Sequence, residues 1–253
     1  MTTPANKIQL YGFNNLTKHL SFSFYKCHYL TACDTETLRC YHDFIQQNYG
    51  ADKLEQLLTK VCHAIGGNIL NVAKQNYQPQ GASVTLMISE ESPPTSLVAH
   101  LDKSHLCVHT YPDTQITNNV AIFRADIELS TCGVISPLNV LDYLIETLAP
   151  DLVDIDYRIR GMTRDQQGNK LFSDETITTI TEHLSPSIEK NYQIKNSPLI
   201  DNNLFYAQLQ RHNLHFQKMV FGPSPLPIFT ENKAAILQCL KKEINELAAP
   251  HKI

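Results

Sequence analysis

The sequence lacks the marks of a membrane or secreted protein. No stretch approaches the ~20 consecutive apolar residues that a transmembrane helix needs, and residues 1–13 contain no basic segment followed by an apolar run. The seven cysteines are scattered and contain no C-x-x-C pair, so the sequence indicates neither a disulfide framework nor a zinc knuckle. We expect a cytoplasmic protein without a membrane partner.

A surplus of basic charge is also missing. The chain has 25 acidic residues against 21 lysines and arginines, whereas a protein that binds nucleic acid needs a concentrated basic surface. Hydrophobic residues make up 42% of the 253 residues and charged residues 18%, which is typical of globular proteins rather than disordered ones. We therefore expect a packed core and a small-molecule ligand, not a nucleic acid.

The hydrophobic pattern predicts a mixed α/β fold of the α+β type, with mostly antiparallel sheets and helices packed on their faces. Period-two alternation and β-branched residues predict strands, whereas apolar spacing of three to four predicts helices. The predicted strands span residues 8–30, 84–88, 106–110, 120–129 and 153–159. The predicted helices span residues 35–49, 52–65, 136–148, 175–184 and 232–247.

Two local signals refine this pattern. Ser136 and Pro137 are suited to be the N-cap and the first residue of their helix. Prolines at positions 223, 225 and 227 predict a loop. Beyond residue 172 the pattern indicates only helices and loops, and no residue there suggests a particular chemistry.

The densest polar cluster is residues 100–113, HLDKSHLCVHTYPD, and three interpretations of it are open. The first is a half-buried strand whose polar side chains face solvent. The second is a metal site, because strand alternation places His105, Cys107 and His109 on one face. No fourth ligand follows from the spacing. The third interpretation is nucleophilic chemistry at Ser104, which has histidines nearby. A G-x-S-x-G elbow is absent, which argues against a hydrolase of the common type.

Several long motifs, in the same order, resemble the bacterial S-adenosylmethionine decarboxylase proenzymes, in particular their longer, magnesium-stimulated branch. They are residues 12–18 (GFNNLTK), 79–85 (PQGASVT), 100–112, 123–133 (FRADIELSTCG) and 156–161 (DYRIRG). The resemblance extends through about residue 172. It implies an S-adenosylmethionine decarboxylase-like sandwich that forms a single domain over residues 1–253.

The resemblance implies a self-cleaving enzyme. The proenzyme would cut the Lys103–Ser104 bond into a β chain, residues 1–103, and an α chain, residues 104–253, and Ser104 would become a pyruvoyl group. That group would form a Schiff base with S-adenosylmethionine and accept the electrons left by departing carbon dioxide. The product, S-adenosylmethioninamine, would supply aminopropyl groups for spermidine synthesis.

The same resemblance assigns roles to further residues. Cys132 would donate the proton that completes decarboxylation, and His109 would accept a proton during cleavage. Ser83 matches a serine that assists cleavage, and Asp113 occupies the position of a glutamate that holds the ribose hydroxyls. Strand alternation puts Ser104 and His109 on opposite faces, so the chain must bend at the start of this strand for the two to cooperate.

The resemblance also implies a homo-oligomer of αβ units and stimulation by Mg²⁺, without indicating an interface or metal ligands. Two alternatives stay open. One is a pyruvoyl-dependent decarboxylase of the same fold that acts on ornithine or arginine, which would share Ser104 and Cys132. The other is a regulatory paralogue without activity, although the serine, the histidine and the cysteine are all present.

Overall fold

The computed structural model describes residues 15–89, 104–132, 135–222 and 232–249. Within these ranges the strands are β1 (Thr17–Leu30), β2 (Asn68–Asn76), β3 (Ala82–Ser89), β4 (His105–Pro112), β5 (Val120–Cys132), β6 (Leu152–Arg160), β7 (Thr163–Arg164), β8 (Lys170–Leu171), β9 (Tyr192–Asn196), β10 (Leu204–Arg211) and β11 (Val220–Phe221). The α-helices are α1 (Thr35–Tyr49), α2 (Ala51–Ala64), α3 (Leu141–Leu148), α4 (Pro186–Asn191), α5 (Phe216–Met219) and α6 (Lys233–Ala248).

One nine-stranded sheet organises the described residues. Its strand order is β2-β3-β4-β5-β1-β6-β10-β9, and β11 pairs with the end of β1. Every pair along this order is antiparallel, whereas β11 runs parallel to β1. Strands β7 and β8 form a separate two-stranded sheet. The predicted fold class, a mixed and mostly antiparallel α/β fold, is confirmed.

The first face of the sheet is covered by α1, α2 and α3. Leu20, Phe22 and Phe24 of β1 point into this core because alternate residues of a strand share a face. Asp34 starts α1, since its side chain accepts a hydrogen bond from Thr37 N at 2.7 Å. This face holds most of the core, because the larger of the two clusters of buried apolar side chains lies here. Burying each side chain as large as Phe contributes about 1.5–3 kcal/mol.

The second face is divided. Helices α5 and α6 cover one part, where Ile236, Leu240 and Ile244 of α6 pack against Cys27 and Leu152. The register of the strands places a set of polar residues on the remaining part, which we call the polar face. It comprises His105, Cys107 and His109 of β4, Asp126, Glu128, Ser130 and Cys132 of β5, and His19, Ser21 and Ser23 of β1.

A close backbone contact explains why two of the sequence motifs contain Asn15 and Gly161. Gly161 has φ +83°, and a Cβ added there would lie 2.2 Å from Asn15 O. Asn15 in turn accepts from Met162 N at 2.7 Å and donates from its own backbone N to Met162 O at 3.0 Å. Glycine is therefore required at position 161, because it combines the positive φ with space for the neighbouring chain.

The predictions for 35–49, 52–65 and 232–247 as helices are confirmed, but the helix at 175–184 is wrong. Only a 3-10 turn, Ile180–His183, forms there. β-Branched residues at 176–181 disfavour a helix, and Glu182 instead accepts hydrogen bonds from Thr178 through both carboxylate oxygens.

The predicted strands at 84–88, 106–110, 120–129 and 153–159 are confirmed. The predicted strand at 8–30 is confirmed from Thr17 onward, and residues 8–14 lie outside the described residues.

Ser136 is also placed differently from the prediction. A 3-10 turn, Pro137–Val140, precedes α3, and Ser136 makes no side-chain capping bond. Its hydroxyl donates to Glu175 Oε1 at 3.0 Å instead. The proline loop at 223–227 lies outside the described residues.

Beyond residue 172 the main sheet contains three strands that the sequence pattern did not predict, β9, β10 and β11. β10 alternates buried Phe205, Ala207 and Leu209 with partly exposed neighbours, which is the period-two signal of a strand. β9 pairs with it at the sheet edge. The expectation of only helices and loops in this region is therefore wrong.

Candidate active site

Ser104 and Cys132 form the centre of the candidate site. Ser104 Oγ and Cys132 Sγ lie 3.4 Å apart, which is hydrogen-bonding distance for a sulfur atom. Ser104 is buried, at 5% exposure, and its carbonyl oxygen accepts a hydrogen bond from Ile88 N at 3.4 Å. The structure thus brings together two of the predicted site residues, which are 28 positions apart in the chain.

The β4–β5 hairpin creates this contact. His105 lies directly opposite Ser130 in the antiparallel register. Ser104, just before β4, and Cys132, the last residue of β5, therefore meet at the open end of the hairpin. Because this register follows from the pairing of two complete strands, a shift by one residue would move Cys132 away from Ser104.

His109 lies elsewhere on the same strand. It faces Asp126 on β5 and Ser83 on β3, and the Ser83 hydroxyl accepts a hydrogen bond from Tyr77 OH at 2.7 Å. Five residues of extended strand separate His109 from Ser104, which corresponds to about 16 Å. Within one chain, the two predicted helpers of cleavage are brought to each other and not to Ser104.

Asp113 lies still further along the chain, beyond the end of β4. Its Oδ1 accepts a hydrogen bond from Gln115 N at 2.8 Å, and its backbone N donates to Ile122 O at 2.8 Å. These bonds hold Asp113 in the turn that joins β4 to β5. Nine extended residues would place it about 30 Å from Ser104, so the two do not meet within one chain.

The strand register separates Ser104 from His109 without resolving the conflict between their faces. Cys132 shares the polar face with His109, because Cys132, Ser130 and Asp126 alternate along β5. Ser104 precedes the first residue of β4 and contacts Cys132 through its hydroxyl. The bend at the start of this strand stays a prediction.

His105 and Cys107 lie on the polar face, as predicted from alternation. Burial lowers the pKa of His105 and raises the pKa of the Cys107 thiol, so both favour the neutral form. Among the residues that the structure describes, no group of three or more His, Cys, Asp or Glu side chains is arranged to hold a metal ion. His19 Nε2 lies 2.7 Å from Glu128 Oε2 beside them.

Sequence reasoning missed a buried polar cluster behind Cys132. Lys18 Nζ lies 2.5 Å from Asp174 Oδ2 and donates to Ile135 O at 3.2 Å. Thr131 Oγ1 donates to the same carbonyl at 3.2 Å. A signal was available, since Lys18 has the same strand parity as Leu20 and Phe22 and is therefore a charged residue on the core face.

Comparison with known proteins identifies the family. The S-adenosylmethionine decarboxylase family model matches residues 18–161. An S-adenosylmethionine decarboxylase proenzyme of Pseudomonas aeruginosa is 43% identical over 96% of this chain and 96% of its own length. Proenzymes of the same description from Photorhabdus laumondii (42%, 96% of each chain) and Xylella fastidiosa (43%, 98% of this chain and 97% of the relative) are similarly close.

The family model and these relatives together show the family. The chain belongs to the S-adenosylmethionine decarboxylase family. The helices in the described ranges lack the combination of length and hydrophobicity that a transmembrane helix requires.

Proposed function

We propose that the protein is a self-cleaving decarboxylase of S-adenosylmethionine whose product supplies aminopropyl groups for spermidine synthesis. The observation that carries the proposal is the 3.4 Å contact between Ser104 Oγ and Cys132 Sγ. It joins the residue from which the cofactor would be made to the residue that would use it. Family membership supports the choice of substrate, because the relatives over almost the whole chain are S-adenosylmethionine decarboxylase proenzymes.

Cleavage would begin at Ser104 of a single domain, residues 1–253. Its Oγ attacks the carbonyl carbon of Lys103, and the acyl group moves from nitrogen to oxygen to give an ester. Loss of the Ser104 Cα proton then expels the Lys103 carboxylate, and hydrolysis releases ammonia and leaves the pyruvoyl group. The products are a β chain of residues 1–103 and an α chain of residues 104–253.

The pyruvoyl group would supply an electron sink for the bond to carbon dioxide, as pyridoxal phosphate does in other decarboxylases. The residues around Ser104 are suited to such a group, since Ser104 is buried and its side chain faces a thiol. Cys132 would deliver a proton from Sγ to the product carbon. A positioned thiol is a suitable acid for this step.

The proposal includes assembly of αβ units into a homo-oligomer. Within one chain, His109 and Asp113 lie about 16 and 30 Å along the strand from Ser104. A second copy that turns its polar face toward Ser104 would supply His109 to accept the proton during cleavage, with Ser83 beside it. The same copy would supply Asp113 to the ribose hydroxyls.

The proposal also includes a cytoplasmic location and stimulation by Mg²⁺. A cytoplasmic location is supported by the seven cysteines, none of which forms a disulfide. Stimulation by Mg²⁺ has no residues assigned to it, because the described part of the chain offers no cluster of metal ligands.

Two measurements test the function. Wild-type protein should separate into two chains on a denaturing gel, and Ser104→Ala should remain a single chain. The cleaved protein should release carbon dioxide from S-adenosylmethionine. Release from ornithine or arginine instead would favour the other decarboxylase, and a wild-type chain that stays uncut would refute the proposal and support the regulatory paralogue.

A further inference from the structure

We propose that the buried ion pair of Lys18 and Asp174 positions Cys132 for proton transfer. This inference rests on the proposed function. It assigns a role to residues far apart in sequence, one in the first strand and one in the region beyond residue 172 where the sequence suggested no chemistry. Neither residue touches the reacting atoms, so both would be positioning residues.

Burial makes the pair unusual. Lys18 is 0% exposed and Asp174 is 1% exposed, with Nζ and Oδ2 2.5 Å apart. Removing two charges from water is costly, and a buried ion pair is often no more stabilising than apolar residues of similar size. The other oxygen, Asp174 Oδ1, has no hydrogen-bond partner within the described ranges. Stability alone therefore does not account for the pair.

The pair fixes the backbone next to Cys132. Lys18 lies directly opposite Thr131 in the β1–β5 register, and both side chains donate to the same acceptor, Ile135 O, at 3.2 Å. Thr131 immediately precedes Cys132, and Ile135 follows three residues later. The chain that carries the thiol is thus fastened on both sides of Cys132.

Asp174 holds Lys18 in place from the segment that follows β8. The next residue, Glu175, reinforces this attachment, because its Oε1 accepts hydrogen bonds from Ser136 at 3.0 Å and Tyr157 OH at 3.1 Å. Ser136 follows Ile135 directly. Residues 174 and 175 therefore connect, through side chains, to both residues 135 and 136.

Such fixing matters for a proton donor. A displacement of 1 Å at a reacting group can reduce the rate about 10²-fold, and catalytic side chains need neighbours that lock their geometry. Cys132 is the last residue of β5, so the strand alone holds it from one side. The Lys18–Asp174 pair supplies the support on the other side.

The test uses a variant that removes both charges together. Lys18→Met combined with Asp174→Val leaves no uncompensated buried charge, so folding should survive. We expect complete cleavage at Ser104, a KM within about twofold of wild type, and a kcat lowered by about 10-fold or more. A fall in kcat with KM nearly unchanged indicates a misplaced catalytic group rather than weaker substrate binding.

A second measurement reads the destination of the proton. In a misdirected turnover, the proton reaches the carbon derived from Ser104 rather than the product carbon. Hydrolysis then leaves an alanine at the N-terminus of the α chain. The decarboxylated substrate departs as an aldehyde whose oxygen comes from water. This terminus has a free amine that sequencing detects. We expect it to accumulate during turnover several times faster in the double variant than in wild type.

Lys26→Met is the matched control. Lys26 lies on the same strand and face, and its Nζ donates to Leu148 O and Ala149 O at 3.1 Å each. These carbonyls are remote from Cys132. We expect this variant to lose thermal stability while retaining wild-type kcat and the wild-type rate of alanine formation.

Thr131→Val tests the same inference if the double variant does not fold. It removes the other donor to Ile135 O without touching a charge, and it should lower kcat in the same direction but less. Wild-type kcat and no added alanine in a folded variant would overturn the inference. A wild-type protein that neither cleaves nor decarboxylates would instead refute the proposed function.

Discussion

The two ends of the β4–β5 hairpin differ in which candidate site residues contact each other within one chain. At the open end, Ser104 is buried against Cys132, and the neighbouring backbone is fastened by a buried ion pair. At the turn end, Ser83, His109 and Asp113 are half-buried or bonded into a turn. One chain therefore brings the proposed precursor of the cofactor, Ser104, against the proposed proton donor, Cys132, whereas the residues proposed to assist cleavage and to bind the ribose lie at the other end.

Loss of the thiol should have the largest effect on turnover while leaving cleavage intact. Cys132→Ala removes the proposed proton donor but not Ser104, so two chains should still form. We expect kcat to fall about 10²–10⁴-fold, the range typical of a lost acid or base. Gel analysis and carbon dioxide release measure the two steps separately. Failure to cleave would show that the open end does not divide its roles as proposed.

His109→Ala should block cleavage by about 10²-fold or more, because it removes the proposed proton acceptor. Co-expression with Ser104→Ala separates the two ends further. If His109 acts from a second copy, the His109→Ala chain should be cleaved inside mixed oligomers. A partner that carries both substitutions is the control and should give no rescue. Cleavage of His109→Ala alone would remove this histidine from the mechanism.

Asp113→Ala should raise KM for S-adenosylmethionine by about 10- to 10²-fold with a smaller change in kcat, since a charged hydrogen bond to ribose contributes about 1.5–3 kcal/mol. Asp165→Ala is a matched control. Asp165 accepts from the backbone two residues ahead, as Asp113 does, but it lies outside the hairpin. Equal KM values in the two variants would argue that Asp113 only shapes its turn.

His28→Phe should reduce the pH dependence of stability. His28 packs among Tyr41, Phe44 and Phe221 on the core face, and burial lowers its pKa to about 3. The unfolded chain therefore binds a proton near pH 6.5 that the folded chain refuses, so this contribution is complete above about pH 6.5 and is lost as pH falls toward 3.

Wild type should lose up to about 2 kcal/mol more than His28→Phe between pH 6.5 and 5, at about 1.36 kcal/mol per pH unit. Urea unfolding at the two pH values measures this difference. Identical pH slopes in the two proteins would contradict the neutral buried histidine. Cleavage should be unaffected, which separates the core from both ends of the hairpin.

Local periodicity predicted much of the fold. The spacing in residues 35–64 and the alternation of Leu20, Phe22 and Phe24 were sufficient, because each pattern serves one continuous core. The helix prediction for 175–184 was wrong, because Glu182 accepts hydrogen bonds from Thr178 in a conformation that is not an α-helix. The alternation in β10 is typical of a strand, so periodicity was sufficient to predict it.

The site was less accessible to residue patterns. Nothing local places Cys132 beside Ser104, because their contact depends on the register of two strands that are separated in sequence by a turn. The resemblance to a family assigned roles to both residues but did not indicate their contact. The position of Asp174 behind Cys132 depends on tertiary packing alone, so neither periodicity nor the motifs indicated it.

The central place of β1 determines what would happen to the two chains after cleavage. β1 belongs to residues 1–103, yet it is bonded along its length to β5 on one side and β6 on the other, both from residues 104–253. β3 is likewise bonded to β4 across the cut. The fragments would interleave as a single particle, so one could be removed from the other only by unfolding, and a native gel should show one species where a denaturing gel shows two.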